Sequence, residues 1–195
     1  MLLIATSFAL IGCGEFDKIF VMDNGKSTEE NKLSSSELSS LQLEDDTESV
    51  VISNLNTLKD SDFDIEKDQK SIGTTLSYIS RVLKRSELLP KEKRSQCSCS
   101  YAASTHELAT EALGTILVKV YAQGIMAKSS DDPKTYKELY GQFKTHKEIL
   151  TDLSKIDAVE LSSTSDEKVT LSSLQKKAQT YLTQLTPAPK EEKKE

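Results

Sequence analysis

The sequence predicts an all-α fold, an antiparallel four- or five-helix bundle behind a disordered N-terminal tether. Apolar residues from Glu48 onward recur at three- and four-residue spacing, the period of one helix face. No run of period-two alternation competes with that pattern. Leu, Lys, Glu and Ser dominate, and the 195 residues include 7 Gly and 4 Pro, too few for a many-stranded sandwich. The 36% hydrophobic content suffices for one modest core, and one domain is the natural expectation at this length.

The chain opens on MLLIATSFALI, which carries no charged side chain. Such a stretch suits the apolar core of a secretory signal and falls far short of the roughly 20 residues that span a bilayer. It runs into Leu10-Ile11-Gly12-Cys13, which matches the bacterial lipobox: a branched apolar residue, a tolerant position, a small residue, then Cys. The thiol receives a diacylglycerol, and cleavage after the small Gly12 leaves Cys13 as an acylated N-terminus. Each buried acyl methylene contributes about 0.8 kcal/mol, so several chains anchor firmly. Residues 1–12 are therefore expected to be a lipoprotein signal peptide and Cys13 the lipidation site. The competing reading is a short buried helix with an incidental Cys. A signal ordinarily begins with Lys or Arg, whereas the first basic residue is Lys18. A start upstream of Met1 or a truncated chain is the corresponding expectation.

Residues 13–47 read as an acidic, flexible tether. From Gly14 to Glu48 there are ten acidic and three basic side chains, net −7, against a total of −6. The stretch TEENKLSSSELSSLQLEDD buries too little apolar surface to offset the entropy of ordering it. Phe16, Ile19, Phe20, Val21 and Met22 interrupt it, either packing on the body or lying at the membrane interface. The remainder is nearly neutral, which argues against a nucleic-acid binder, whose affinity rests largely on phosphate neutralisation.

The body is expected over residues 48–186. Val51, Leu55 and Leu58 mark a first short helix. Ile65, Ile72, Leu76, Ile79 and Leu83 mark a second, closed by Leu89-Pro90 because proline cannot continue the hydrogen-bond ladder. A third helix is expected over about residues 98–128, with a broad apolar face that includes Leu113, Ile116, Leu117 and Val120 and suggests a central position. Ser129-Ser130-Asp131-Asp132-Pro133 reads as a turn with a cap and a first-turn proline. Tyr136, Leu139, Tyr140, Phe143, Leu150 and Leu153 mark the fourth helix, and SSTSDE the next break. Val169, Leu174, Ala178, Tyr181, Leu182 and Leu185 mark the fifth. Pro187 and Pro189 end it, and residues 187–195 form a disordered Pro/Lys/Glu tail. Short linkers favour antiparallel neighbours.

The residues propose little chemistry. Cys97-Ser98-Cys99 could form a disulfide in an exported protein, although a bridge across one residue is tight. Two thiols at a helix start are the plainer reading, and a zinc site would need two further ligands, with His106 the nearby histidine. His106 and His146 are isolated. There is no nucleophile elbow, paired-histidine zinc motif or phosphate-cradling glycine loop, so neither catalysis nor a metal or cofactor is expected. Arg81, Lys84, Arg85, Lys91, Lys93 and Arg94 surround the turn after the second helix. They are either cations favoured by the helix dipole or a surface for an acidic or sulfated partner. The expected partner-binding residues are Arg85, Lys91, Lys93, Arg94, Asp131 and Asp132, in loops beside the ends of rigid helices.

The relaxed lipobox Leu10-Ile11-Gly12-Cys13, the tether ending LEDD and the closing YLTQLTPAPKEEKKE resemble the small helical outer-surface lipoproteins of Borrelia. Size and helical layout are most similar to the factor H-binding lipoproteins of relapsing-fever Borrelia. That resemblance implies an outer-membrane, surface-exposed, lipid-anchored protein that binds the host complement regulator factor H, with plasminogen as a further partner, and so evades complement without being an enzyme. The outer-surface protein C and variable small protein group is also similar, and implies a dimeric antigenic coat protein instead.

Overall fold

The computed structural model describes residues 47–84 and 101–186. Seven helices and no strand occur among these residues: α1 (Glu48–Asp60), α2 (Gln69–Lys84), α3 (Ala103–Ala122), α4 (Ile125–Asp131), α5 (Lys137–Leu153), α6 (Ala158–Leu161) and α7 (Ser165–Gln184). Five are long and build the bundle, and α4 and α6 are short connectors.

In α1, Val51, Asn54, Leu55 and Leu58 line one buried face. The chain leaves the helix in extended conformation at Ser61, and Lys119 Nζ satisfies its end by donating to the Ser61 carbonyl at 2.8 Å. In α2, Ile72, Leu76, Ile79 and Leu83 are buried as the spacing predicts. Ile65 corrects the reading at its start, since it lies in a turn before the helix. There Asp64 Oδ1 accepts from Glu66 N–H at 2.8 Å and Asp68 Oδ2 from Asp64 N–H at 2.9 Å, local bonds that compete with a helix. Ile65 is nevertheless fully buried, because Gln123 Oε1 accepts its N–H at 3.0 Å while Gln123 Nε2 donates to the Phe63 carbonyl.

Helix α3 is the central element, packed against α1, α2, α5 and α7. Its buried residues, among them Ala109, Ala112, Leu113, Gly114, Ile116, Leu117 and Val120, occupy most of its circumference. The expected single helix over residues 98–128 is corrected: α3 starts at Ala103, and Gly124, with φ +79°, breaks the chain before α4. That left-handed conformation strains any residue with a Cβ. Ser129, Ser130 and Asp131 belong to α4, so the expected turn starts later. Asp132 Oδ1 accepts from Thr135 N–H at 3.1 Å, and Pro133 precedes α5 by a full turn rather than lying in its first turn. Asp157 caps α6 by accepting from Val159 and Glu160 N–H groups. Thr164 caps α7 by accepting from Glu167 N–H at 3.1 Å, while the Glu167 carboxylate reaches back to Ser163 N–H, a variant of the capping box. On α7, Leu171, Leu174 and Ala178 are buried, whereas Val169 is 70% exposed, which corrects its assignment to the core face.

Side-chain bonds set the helix directions. Lys147 Nζ of α5 donates to the Leu185 carbonyl at 3.1 Å and Gln175 of α7 donates to the Ser154 carbonyl at 3.2 Å, an antiparallel register. Gln123, after α3, holds the turn that leads into α2, so these two also run oppositely. Consecutive long helices are thus antiparallel. The flanks of α3 are not: Glu48 meets Thr105 and Lys59 meets Glu111, while Glu107, Glu111 and Thr115 meet Ser173, Lys177 and Tyr181 in rising order. Helices α1, α3 and α7 run one way, and α2 and α5 return between them.

Candidate functional site

Of the predicted partner-binding residues, Asp131 and Asp132 are described. Asp131 and Asp132 are exposed at the end where α4 meets the turn before α2, and there Lys128 of α4 pairs with Glu66. Asp132 is fixed, because the side chain and N–H of Thr135 both bond its carboxyl and hold it below the usual carboxylate range. Lys84, which precedes the basic stretch, closes the opposite end of α2, a helix of 16 residues and so about 24 Å long. The structure therefore does not bring the acidic pair together with that end. Arg85, Lys91, Lys93, Arg94, Cys97 and Cys99 lie outside the described residues, as do Cys13 and the tether.

Sequence reasoning missed a groove between α2 and α5. Its volume is about 620 Å³, and Lys70, Thr74, Ser77 and Arg81 of α2 face Glu138 and Gln142 of α5 across it. The α2 residues recur at four, three and four, one exposed stripe opposite the apolar one. On sequence such a stripe reads as a solvated face, so only the packing of α5 alongside reveals a concavity. Gly73 forms its floor: a Cβ there would lie 3.1 Å from Gln142 Nε2.

Both histidines are buried rather than displayed. His106 is wholly buried with neither ring nitrogen hydrogen-bonded among the described residues. Burial pushes its pKa down to about 4, against the opposing pull of Glu48 and the Tyr101 backbone, so it stays neutral. His146 Nδ1 lies 2.7 Å from the Gln142 carbonyl, and burial lowers its pKa as well. Between α1, α3 and α7, Glu111 accepts from Lys59 at 3.2 Å and from Lys177 at 2.6 Å, and Lys177 also reaches Glu107 at 3.1 Å. Lys177, with Lys59 and against the cost of burial, holds the Glu111 carboxyl below its ordinary value. This network fixes helices and presents no reactive group.

Among the described residues no group of three or more His, Cys, Asp or Glu side chains could hold a metal ion. No described helix is long and apolar enough to cross a membrane. No protein-family model, curated protein or solved structure matches this chain.

Proposed function

We propose that the chain is a lipid-anchored bacterial surface protein that binds host factor H, with plasminogen as a further ligand, and has no catalysis of its own. The observation that carries this reading is the order of its parts. An uncharged apolar start ends in Leu10-Ile11-Gly12-Cys13, an acidic serine-rich spacer follows, and a helical body comes last. A lipid on Cys13 would hold the body at the outer membrane, and the spacer would carry it clear of the surface. Charged ends of rigid helices, such as the one that bears Asp131 and Asp132, suit protein recognition because they can be read without disturbing a core.

Two experiments test it. Growth of the bacterium on radiolabelled palmitate should label the protein, and Cys13→Ala should abolish the label. The full chain, immobilised and incubated with serum, should retain factor H. Absence of factor H while a known factor H ligand retains it in parallel would sink the proposal. A stable dimer by size measurement, together with no retained serum protein, would support the coat-protein reading instead.

A further inference from the structure

Three breaks between long helices lie among the described residues, at 61–68, 123–136 and 154–164. Side chains of the long helices pin the first and the third. In the first, Lys119 donates to the Ser61 carbonyl, Gln123 bonds the Ile65 N–H and the Phe63 carbonyl, and Phe63 and Ile65 are buried. In the third, Gln175 of α7 donates to the Ser154 and Ile156 carbonyls at 3.2 and 3.1 Å, and Ala158 is buried. The middle break has no such pin. Ile125 is buried and Tyr136 partly so, but no residue between them is buried. Their hydrogen bonds close within the segment, as from Ser129 and Ser130 to the Met126 carbonyl and from Thr135 N–H to Asp132. Among the described residues, the bond that joins residues 126–135 to the rest of the body is the ion pair of Lys128 with Glu66, whose side chains are 34% and 60% exposed. Both ends of the segment yield readily. Gly124 tolerates many backbone conformations, and α5 starts behind Tyr136 without a side-chain cap.

A protease takes its substrate as an extended strand, so a folded chain is cut where a segment opens while the core stays closed. Lys134 lies in the exposed run 131–135. Exposure alone does not single it out, since Lys67 and Lys155 are exposed in the two pinned breaks and Lys144 and Lys176 within long helices. Lys128 shares the unpinned segment but is held in α4 and paired with Glu66. We propose that Lys134 is the first cleavage site of the folded body for a lysine-specific serine protease, and that the cut leaves the body assembled from two pieces. Water adds across the Lys134–Thr135 peptide bond: the Lys134 carbonyl becomes a carboxylate and the Thr135 nitrogen leaves as an amine. The pieces share one core, because α3 before the cut packs on α5 and α7 after it, and α2 packs on α5. Tyr181 on Gly114 and Lys177 on Glu111 also cross the cut. The turn in which Asp132 holds Thr135 is lost, so the cut removes a fixed charged end and spares the bundle.

The test uses the full chain with Cys13→Ala and with Lys84→Arg, Lys91→Arg and Lys93→Arg, digested briefly with lysyl endopeptidase, which cuts after Lys and not after Arg. New N-termini within residues 47–186 are read by mass spectrometry in order of appearance. Thr135 should come first, and the two pieces should co-elute on size exclusion with the helical circular dichroism of the uncut chain. Lys134→Arg should remove that cut. Asp132→Ala, at an exposed position, frees the Thr135 N–H and should speed the cut about fivefold, the worth of one hydrogen bond. An N-terminus after Lys67, Lys155 or a lysine within a long helix that appears before Thr135 overturns the proposal. So does the absence of any cut within 47–186 while the chain ends are trimmed, a rate for Asp132→Ala no faster than the parent's, or pieces that separate and lose helix. The inference does not depend on which host protein the surface binds, and serum capture by the uncut chain tests that reading separately.

Discussion

Gly114 shows how one residue without a side chain can decide a helix seam. A Cβ at this position would lie 2.1 Å from Cδ2 of Tyr181, so the ring rests directly on the α3 backbone. The Tyr181 hydroxyl is fixed in turn by Thr115 Oγ1 at 3.1 Å. Neither the ring nor the helix can retreat without breaking that bond or opening the core. Gly114→Ala removes the helix-propensity cost of glycine, about 1 kcal/mol, but imposes overpacking of about 1–3 kcal/mol. The clash wins, and the variant should show a lower urea midpoint with an unchanged slope. Gly124 poses the opposite problem. It has open space around it but φ +79°, so Gly124→Ala should cost about 1 kcal/mol through backbone strain alone. Removing the Tyr181 ring as well should rescue Gly114→Ala and leave Gly124→Ala unchanged.

At the scale of elements, the apolar period alone located the long helices. Val51, Leu55 and Leu58, then Ile72, Leu76, Ile79 and Leu83, are all buried where the spacing put them. The boundaries were harder to read, because they depend on polar bonds that no period encodes. Ile65 keeps the hydrophobic spacing yet lies outside α2, since Asp64 and Asp68 bond the backbone and Gln123 reaches it from fifty-eight residues away. The groove was illegible for a related reason: Lys70, Thr74, Ser77 and Arg81 are an ordinary polar face until α5 stands beside them. The network on α3 was equally hidden, because Glu107 and Glu111 find Lys59 and Lys177 on helices far away in sequence. Its side chains are about a quarter to a third exposed, so solvent screens it and a modest effect is expected. Glu111→Gln should destabilise by about 1 kcal/mol, and Lys177→Met combined with it should add less than its separate cost. A double-mutant cycle by chemical denaturation measures that coupling.

For the whole molecule these local facts combine into a dependence on pH. His106 sits wholly buried in α3, the helix against which α1, α2, α5 and α7 all pack, so charging it disturbs the centre of the bundle. Its pKa falls from 6.5 to about 4 on folding, so the unfolded chain binds the proton that the folded chain refuses. Its contribution is fully present above pH 6.5 and is lost as the pH falls toward 4, a span worth about 3 kcal/mol. His146, lowered by burial, acts in the same direction. Glu111, held low chiefly by Lys177, adds stability that is present above the ordinary carboxylate range and is lost at lower pH. The unfolding free energy should therefore be flat above neutrality and decline through two successive windows on acidification, first the histidines and then the carboxylate. His106→Leu removes two buried nitrogens that are unsatisfied among the described residues, and with them the first of these slopes. The variant should match or exceed the parent at pH 5 and lose much of its decline between pH 7 and 5, measured by urea unfolding at each pH. An unchanged slope in that interval would show that His106 reaches water in the native state, and would move the origin of acid sensitivity to His146 and the surface carboxylates.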